Sequence, residues 1–206
     1  MRKIVKMCLF FLLLSSCAPS PEAIQKALTQ TQSAIPTPSP TPTPTPVPLS
    51  EIDLSSILLI DGDLPTGFLS EPISYENNSD DEARGVVRRI HQEFSKENEG
   101  LGSVTVFIFN DLVERDTAFN NDMNSLYSTI KNAVSATKIS VVEDIGEKAQ
   151  LIVGSNSFMG IEINASYIGF VRCHAFIFIG KTMDDSSEIR AYATKLDARL
   201  KDIVCR

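Results

Sequence analysis

The stretch Ser103–Asn110, which reads SVTVFIFN, is the clearest β-strand in the chain. Successive side chains of a strand point to opposite faces of a sheet. One face of this strand therefore carries Val104, Val106 and Ile108, and the other carries Phe107 and Phe109.

The segment before this strand predicts its hairpin partner. In Gly85–Lys96 (GVVRRIHQEFSK), the apolar residues Val86, Ile90 and Phe94 recur at even spacing. The linking residues 97–102 include two glycines, which favours a hairpin with a long loop.

The segment after the strand changes period. From Asp111 to Ser135, apolar residues recur every three or four positions, which predicts a long helix with Asp111 as its cap. A second amphipathic helix is predicted over Asp185–Val204, with Asp185 and Glu188 at its cap. Four strands are expected between these helices: Lys138–Glu143, Ser157–Asn164, Ser166–Arg172 and Ala175–Lys181. The last three would form a meander with tight connections at Asn164-Ala165 and near Cys173-His174.

The upstream part of the domain is predicted to begin with a short helix at Ser50–Ile60, followed by a turn and a polar loop over 74–84. Adjacent strands grouped between helices predict an α+β fold. We expect a mostly antiparallel sheet of about six strands, with the long central helix and the C-terminal helix packed on it. This order is similar to the topology of PsbP/Mog1-type α/β/α sandwiches, and the similarity implies no residue role.

Prolines dominate the segment that precedes the domain. Residues 36–48 read PTPSPTPTPTPVP and hold seven of the eleven prolines in the chain. Proline restricts its own backbone and that of the residue before it, which favours an extended, semi-rigid spacer of roughly 40 Å. Such segments also serve as ligands for aromatic grooves or carry sugars on their threonines. The spacer is the favoured interpretation.

The N-terminus has the pattern of an export signal. Three cations precede Met7–Leu14 (MCLFFLLL), an apolar run whose helix would rise about 12 Å, against roughly 30 Å of membrane hydrocarbon. The next residues, Leu14-Ser15-Ser16-Cys17, resemble the lipobox of bacterial lipoproteins. That resemblance implies cleavage before Cys17 and a diacylglycerol, with a further palmitate-like acyl chain, on that residue. A cleaved signal with an incidental cysteine and a membrane-spanning helix are the alternatives.

These features predict three regions: a lipoprotein signal peptide at 1–16, a lipidated N-terminus and Pro/Thr stalk at 17–49, and one globular domain at 50–206. Of the 26 acidic and 19 basic residues, one acidic and four basic precede Ser50, which leaves the domain with a formal net charge of −10. An acidic domain disfavours nucleic acid as a partner.

The sequence positions of the cysteines and histidines favour structural roles for these residues over catalytic ones. After export, the domain retains Cys173 and Cys205, and an even pair outside the cytoplasm favours a disulfide. Two independent cysteines remain the alternative. His91 and His174 are isolated from each other in the sequence and predict no metal site. The stretch 154–157 (GSNS) is interpreted as a polar turn able to contact a ligand.

No familiar catalytic motif occurs in the sequence, and no cofactor is implied. We therefore expect a lipid-anchored envelope protein, facing outside the cytoplasm, whose non-enzymatic domain binds a protein partner or a small ligand. An envelope hydrolase with an unrecognised site and a structural or assembly-accessory lipoprotein are the alternatives.

Overall fold

The structure, a computed structural model, describes residues 20–26, 48–71, 73–74, 77–96, 100–158, 161–183 and 186–205. Contacts divide the chain into two units, Met1–Thr45 and Pro46–Arg206. In the first unit, residues 21–26 form a short helix. The predicted lipidation residue Cys17 and most of the predicted stalk lie outside the described residues.

The second unit is an α+β domain built on one sheet, which confirms the predicted fold class. Its elements in chain order are a 3-10 turn at Leu49–Glu51, β1 (Leu69–Ser70), α1 (Ser79–Ala83), β2 (Val86–Lys96), β3 (Gly100–Phe109), α2 (Leu112–Ala133), β4 (Ala136–Val141), β5 (Lys148–Phe158), β6 (Ile161–Arg172), β7 (Ala175–Thr182) and α3 (Ser187–Val204).

The sheet has seven strands in the order β1-β2-β3-β7-β6-β5-β4, and each neighbouring pair is antiparallel. The chain therefore leaves β3 through α2, reaches the far edge at β4, and returns strand by strand until β7 lies beside β3. This return brings β7, the last strand of the meander, against β3.

Strand alternation produces a core on each face of the sheet. On the β3 strand, Val104, Val106 and Ile108 face the core that includes α3, whereas Phe107 and Phe109 face the core that includes α2. This division is the one predicted from the alternation in SVTVFIFN. We refer to these sides as the α3 face and the α2 face.

Helix α2 begins where the sequence predicts. The Asp111 carboxylate accepts hydrogen bonds from the N–H groups of Val113 and Glu114, at 2.6 and 3.0 Å. These bonds satisfy donors that have no partner within the helix. The buried side chains Phe119, Met123 and Ile130 then hold the helix against the sheet.

The segment 49–68 covers part of the α3 face. It contributes buried apolar side chains to that core, and its bend is fixed by Asp63. The Asp63 carboxylate accepts hydrogen bonds from the Ile60 N–H (3.0 Å) and from the Arg199 guanidinium (2.6 Å), and it pairs with Lys195 at 3.4 Å. Burial opposes ionisation of Asp63, but these hydrogen bonds and charges outweigh it and lower the pKa of the carboxyl.

Several predicted boundaries are wrong. The residues Ser50–Ile60 form the 3-10 turn and further turns rather than a helix, and the loop predicted over 74–84 contains α1. The predicted turns at Asn164-Ala165 and at 154–157 do not exist, because those residues lie within β6 and β5. Cross-strand pairing of Gly154 with Ala165 extends both strands through these polar, turn-like residues.

The cap of α3 also differs from the prediction. The N-cap residue is Ser186, in a left-handed conformation, and its side chain makes no capping hydrogen bond. Asp185 lies outside the described residues, and Glu188 pairs with the buried Lys181 at 3.0 Å. No helix within the described ranges is both long enough and apolar enough to cross a membrane.

Candidate functional site

A groove of about 340 Å³ opens on the α2 face, between α2 and the central strands. Its sheet side is formed by Thr105 and Phe107 of β3 and Phe178 of β7. Its helix side is formed by Asp122, Ser125, Leu126 and Thr129 of α2. We call this cavity the aromatic groove.

Strand register explains why these sheet residues meet. Thr105 lies opposite His91 on β2 and opposite Phe178 on β7, so the three residues form one row across the sheet. Phe107 lies in the next row, opposite Phe176. Directly opposed residues of an antiparallel pair have their Cβ atoms about 5 Å apart on the same face.

Each of the two rings that line the groove stacks on a neighbouring ring. Phe107 stacks on Phe176, with ring centroids 5.6 Å apart and an interplanar angle of 22°. Phe178 stacks on Tyr167, with centroids 6.2 Å apart and an angle of 23°. Tyr167 lies over Gly180, where a Cβ atom would come within 2.9 Å of the tyrosine ring. The absence of a side chain at that glycine lets the tyrosine ring lie against the sheet.

A second glycine determines where the helical wall stands. A Cβ atom at Gly169 would come within 2.3 Å of the Met123 sulfur. Met123 is fully buried, so α2 approaches the sheet closely at this point. The close approach positions the Asp122 to Thr129 segment of α2 as the groove's wall.

One end of the groove is charged. The guanidinium groups of Arg84 and Arg89 lie 5.8 and 5.6 Å from the centroid of the Phe107 ring, a cation–π distance. Arg84 donates a hydrogen bond to Asp122 at 2.6 Å, and Arg89 donates one to the buried Asp81 at 3.1 Å. These pairs hold both cations in place beside the ring.

The floor also carries a chain of polar side chains. The Thr105 hydroxyl and the Nδ1 atom of His91 share a hydrogen bond of 2.8 Å. The His91 Nε2 atom lies 3.3 Å from a Glu93 carboxylate oxygen. Thr105 is 6% exposed and borders the groove, so its hydroxyl is held in a fixed position at the floor.

This arrangement has the chemistry of a binding site for a small molecule. Ligand sites of this size combine apolar or aromatic walls with a few fixed polar groups. The stacked rings offer apolar area, and Thr105, Ser125 and Thr129 offer hydroxyl groups around it. The wall carboxylate of Asp122 is already paired with Arg84.

The chain from Glu93 through His91 to Thr105 also has the order of a carboxylate, base and hydroxyl nucleophile. Such a nucleophile needs hydrogen-bond donors for the oxyanion that it creates. Thr105 lies in the interior of β3, which pairs with β2 on one side and β7 on the other. The N–H groups of β3 beside Thr105 are therefore committed to the sheet.

A second cavity of about 420 Å³ lies along β4. Its lining consists mostly of small or polar residues of β4, β5 and β6, with Leu151 and Val153 beneath them. This lining offers a ligand less aromatic surface than the aromatic groove does. We take the aromatic groove as the candidate site for that reason.

The two domain cysteines are joined. The Cys173–Cys205 disulfide connects the turn between β6 and β7 to the end of α3, and its Cα atoms are 5.3 Å apart. The turn is held from the other side as well, because Glu147 accepts a hydrogen bond from the Cys173 N–H at 2.6 Å. The buried Arg115 donates to the Cys173 carbonyl and pairs with Glu147 at 3.0 Å.

The remaining sequence candidates play separate roles. His174 contacts the carbonyl of Phe109 through Nδ1 at 3.0 Å and lies beside the disulfide turn. His91, in contrast, belongs to the row that forms the groove floor. The sequence contained a signal for this floor: on one face of SVTVFIFN, the polar residues Ser103 and Thr105 precede the aromatic residues Phe107 and Phe109.

Within the described ranges, no group of three or more His, Cys, Asp or Glu side chains is arranged to hold a metal ion.

Comparisons with known proteins give a likeness of fold. No family model matches the chain, and no curated protein matches it. Among solved structures, the chain is similar to the extracellular domain of PknH from Mycobacterium tuberculosis, with a TM-score of 0.59 and 9% identity. The match covers 77% of this chain and 98% of that one.

Proposed function

We propose that this protein is a lipid-anchored lipoprotein of the bacterial cell envelope whose domain binds a small ligand in the aromatic groove, without catalysing a reaction. The observation that carries the proposal is the groove itself: a cavity of about 340 Å³ lined by the rings of Phe107 and Phe178 and by the Thr105 hydroxyl, which His91 holds in place. Its volume lies within the range of small-molecule sites.

The proposed location rests on the N-terminal sequence. Leu14-Ser15-Ser16-Cys17 resembles a lipobox, and the proline-rich segment 36–48 suits a spacer between a membrane and a domain. Two or more acyl chains anchor a protein stably, whereas one does so marginally. The similar fold of the PknH domain, which is named as extracellular, agrees with this placement.

The groove defines the ligand by its chemistry. A flat, largely apolar ring would stack between Phe178 and the Leu126 side chain, since aromatic faces favour offset stacking. A hydroxyl or amide on that ring would bond to Thr105 or Thr129. We therefore expect a neutral ring compound with one or two hydrogen-bonding groups.

The test is to purify the protein in its native state from membranes of its host and to record native mass spectra. A groove-filling variant, Ser125→Trp, is compared with Asn124→Trp, because both residues are exposed on α2 and Ser125 lines the groove. We expect a small molecule to accompany the wild-type protein and Asn124→Trp but not Ser125→Trp. A bound molecule that Ser125→Trp retains would place the site elsewhere and refute the proposal.

The anchor is tested separately. Replacing the proposed lipid acceptor, Cys17→Ser, should release the mature protein into the soluble fraction, because no acyl chain would then hold it to the membrane. Mass spectrometry of the wild-type protein should show the added diacylglycerol. An unmodified Cys17 in membrane-bound protein would contradict the anchor and leave the groove's role open to its own test.

The Glu93–His91–Thr105 chain favours a second candidate function, that of an envelope hydrolase. A nucleophilic Thr105 would give its proton to His91, attack the carbonyl carbon of an activated ester and form a covalent acyl intermediate as the ester's alcohol leaves; water would then hydrolyse that intermediate. Wild-type protein and Thr105→Ser would then react with p-nitrophenyl acetate, and Thr105→Val would not. Our binding proposal predicts no difference among the three proteins beyond the background rate.

A further inference from the structure

We propose that β4 is a self-association strand, through which two copies of this chain pair antiparallel about Ile139 and join their sheets into one. The strand Ala136–Val141 is the last in the sheet order. Within the described part of the chain, no element pairs with its outer edge. This inference does not depend on the proposed ligand.

The main-chain groups that face outward follow from one hydrogen bond. Val142 donates its N–H to the Ala149 carbonyl at 3.1 Å, directly beyond the β4–β5 ladder. Hydrogen-bonded and non-hydrogen-bonded pairs alternate along an antiparallel ladder. The even-numbered residues of β4 therefore bond to β5, and Thr137, Ile139 and Val141 direct their N–H and C=O groups away from it.

The side chains of the outward-facing residues suit a strand partner. Ile139 is 41% exposed and Val141 is 73% exposed, and both are β-branched, as is Thr137. Beta-branched pairs stabilise adjacent strands. Long, apolar edge strands are normally shortened, covered or charged in monomeric proteins. The opposite edge is shortened, since β1 has two residues, whereas β4 has six and carries a single charge, Lys138, on the face away from Ile139 and Val141.

The sequence of β4 is complementary to itself in one register. With Ile139 opposite Ile139 of the second copy, Thr137 lies opposite Val141, and all three outward-facing residues form hydrogen-bonded pairs. On the other face, Lys138 lies opposite Ser140 and not opposite the second Lys138. The register thus satisfies every outward main-chain group of both strands without opposing like charges, as a two-fold interface requires.

Such pairing leaves the aromatic groove open. The groove lies against β3 and β7, and β6 and β5 separate β7 from β4. A test of self-association therefore succeeds or fails whether or not the groove binds a ligand.

The register predicts which cysteines can be crosslinked in cells that express the full-length protein. In the proposed pair, the two residues at 139 have Cα atoms about 5.5 Å apart, within disulfide reach, whereas the two at 141 are offset by four residues, or about 13 Å. Under mild oxidation, we expect Ile139→Cys to form a disulfide-linked dimer and Val141→Cys not to do so. Differently tagged Thr137→Cys and Val141→Cys proteins, when co-expressed, should link to each other.

The wild-type protein provides the background for its native cysteines. Equal dimer formation by Ile139→Cys and Val141→Cys would indicate random collision and overturn the proposal. Linkage of Ile139→Cys to a different protein would show that the edge accepts another partner's strand, which also overturns self-pairing. The absence of any linked product would do the same.

A charge variant supplies an independent readout. The combined substitutions Thr137→Lys and Val141→Lys should abolish the crosslink of Ile139→Cys, because in the proposed register they place two lysines directly opposite each other at both ends of the pair. Its matched control is Val141→Lys alone, at a residue that is 73% exposed and that faces only Thr137 of the second copy. The control should leave the crosslink unchanged. Persistence of the crosslink in the protein that carries both lysine substitutions would contradict the proposed interface.

Discussion

Removal of the disulfide should have a large effect on stability that can be calculated. The bond closes a loop of 32 residues between Cys173 and Cys205. On the chain-entropy model, such a crosslink stabilises the folded state by about 3.7 kcal/mol at 25 °C. With a denaturant slope of about 2 kcal/mol per molar urea, Cys205→Ser should lower the unfolding midpoint by about 2 M.

The structure indicates that the native turn survives this change. Glu147 and Arg115 bind the main-chain groups of Cys173, and Val204 at the end of α3 is buried, so both partners stay in place without the bond. The loss should therefore come mainly from the larger freedom of the unfolded chain.

The assay is urea unfolding followed by circular dichroism, with the protein released from the membrane by Cys17→Ser. The double variant Cys173→Ser/Cys205→Ser and the reduced parent protein are the controls, and both should unfold near the midpoint of Cys205→Ser. A shift below about 0.5 M, or roughly 1 kcal/mol, would refute the reasoning. It would mean that the unfolded chain is already restricted without the bond.

Two further perturbations test the packing. The pKa of Asp63 is lowered in the fold, so the ionised carboxylate stabilises the domain above its unfolded pKa of about 3.9, and this stabilisation is lost as the pH falls through the folded value. The difference in unfolding free energy between pH 7 and pH 3 should therefore shrink in Asp63→Asn. The same difference should remain in the exposed control Asp61→Asn. Gly169→Ala should destabilise the domain by about 1 to 3 kcal/mol in urea unfolding, because its Cβ atom would collide with the buried Met123, whereas Gly62→Ala, with open space around it, should have little effect.

The elements that could be predicted are those whose signal is local. The alternation in SVTVFIFN and the three-and-four spacing after Asp111 each depend on neighbouring residues, and both predictions are confirmed. The disulfide could also be anticipated, because the domain contains two cysteines.

The two wrongly predicted turns occurred where strand pairing overrides local preference. Asn164-Ala165 has the composition of a turn, yet Ala165 pairs with Gly154 on one side and Thr182 on the other. Hydrogen bonds to both neighbours stabilise an extended conformation that the dipeptide would not adopt by itself.

The aromatic groove could not be predicted from the sequence because its parts are brought together by strand order. Thr105 meets Phe178 only because β7 returns to lie beside β3. The alternation placed Thr105 on the same face as Phe107 and Phe109, but it gave no information on which strand would lie opposite it.

The most direct test of the ligand-binding claim is a two-dimensional NMR titration of the isotope-labelled protein with indole and p-cresol, two flat ring compounds that each carry one hydrogen-bond donor. Our account predicts that resonance shifts concentrate at Thr105, Phe178, Leu126 and Thr129, that they persist in Asn124→Trp, and that they disappear in Ser125→Trp. Shifts that centre on the cavity along β4, or that remain in Ser125→Trp, would contradict the claim that the aromatic groove is the binding site.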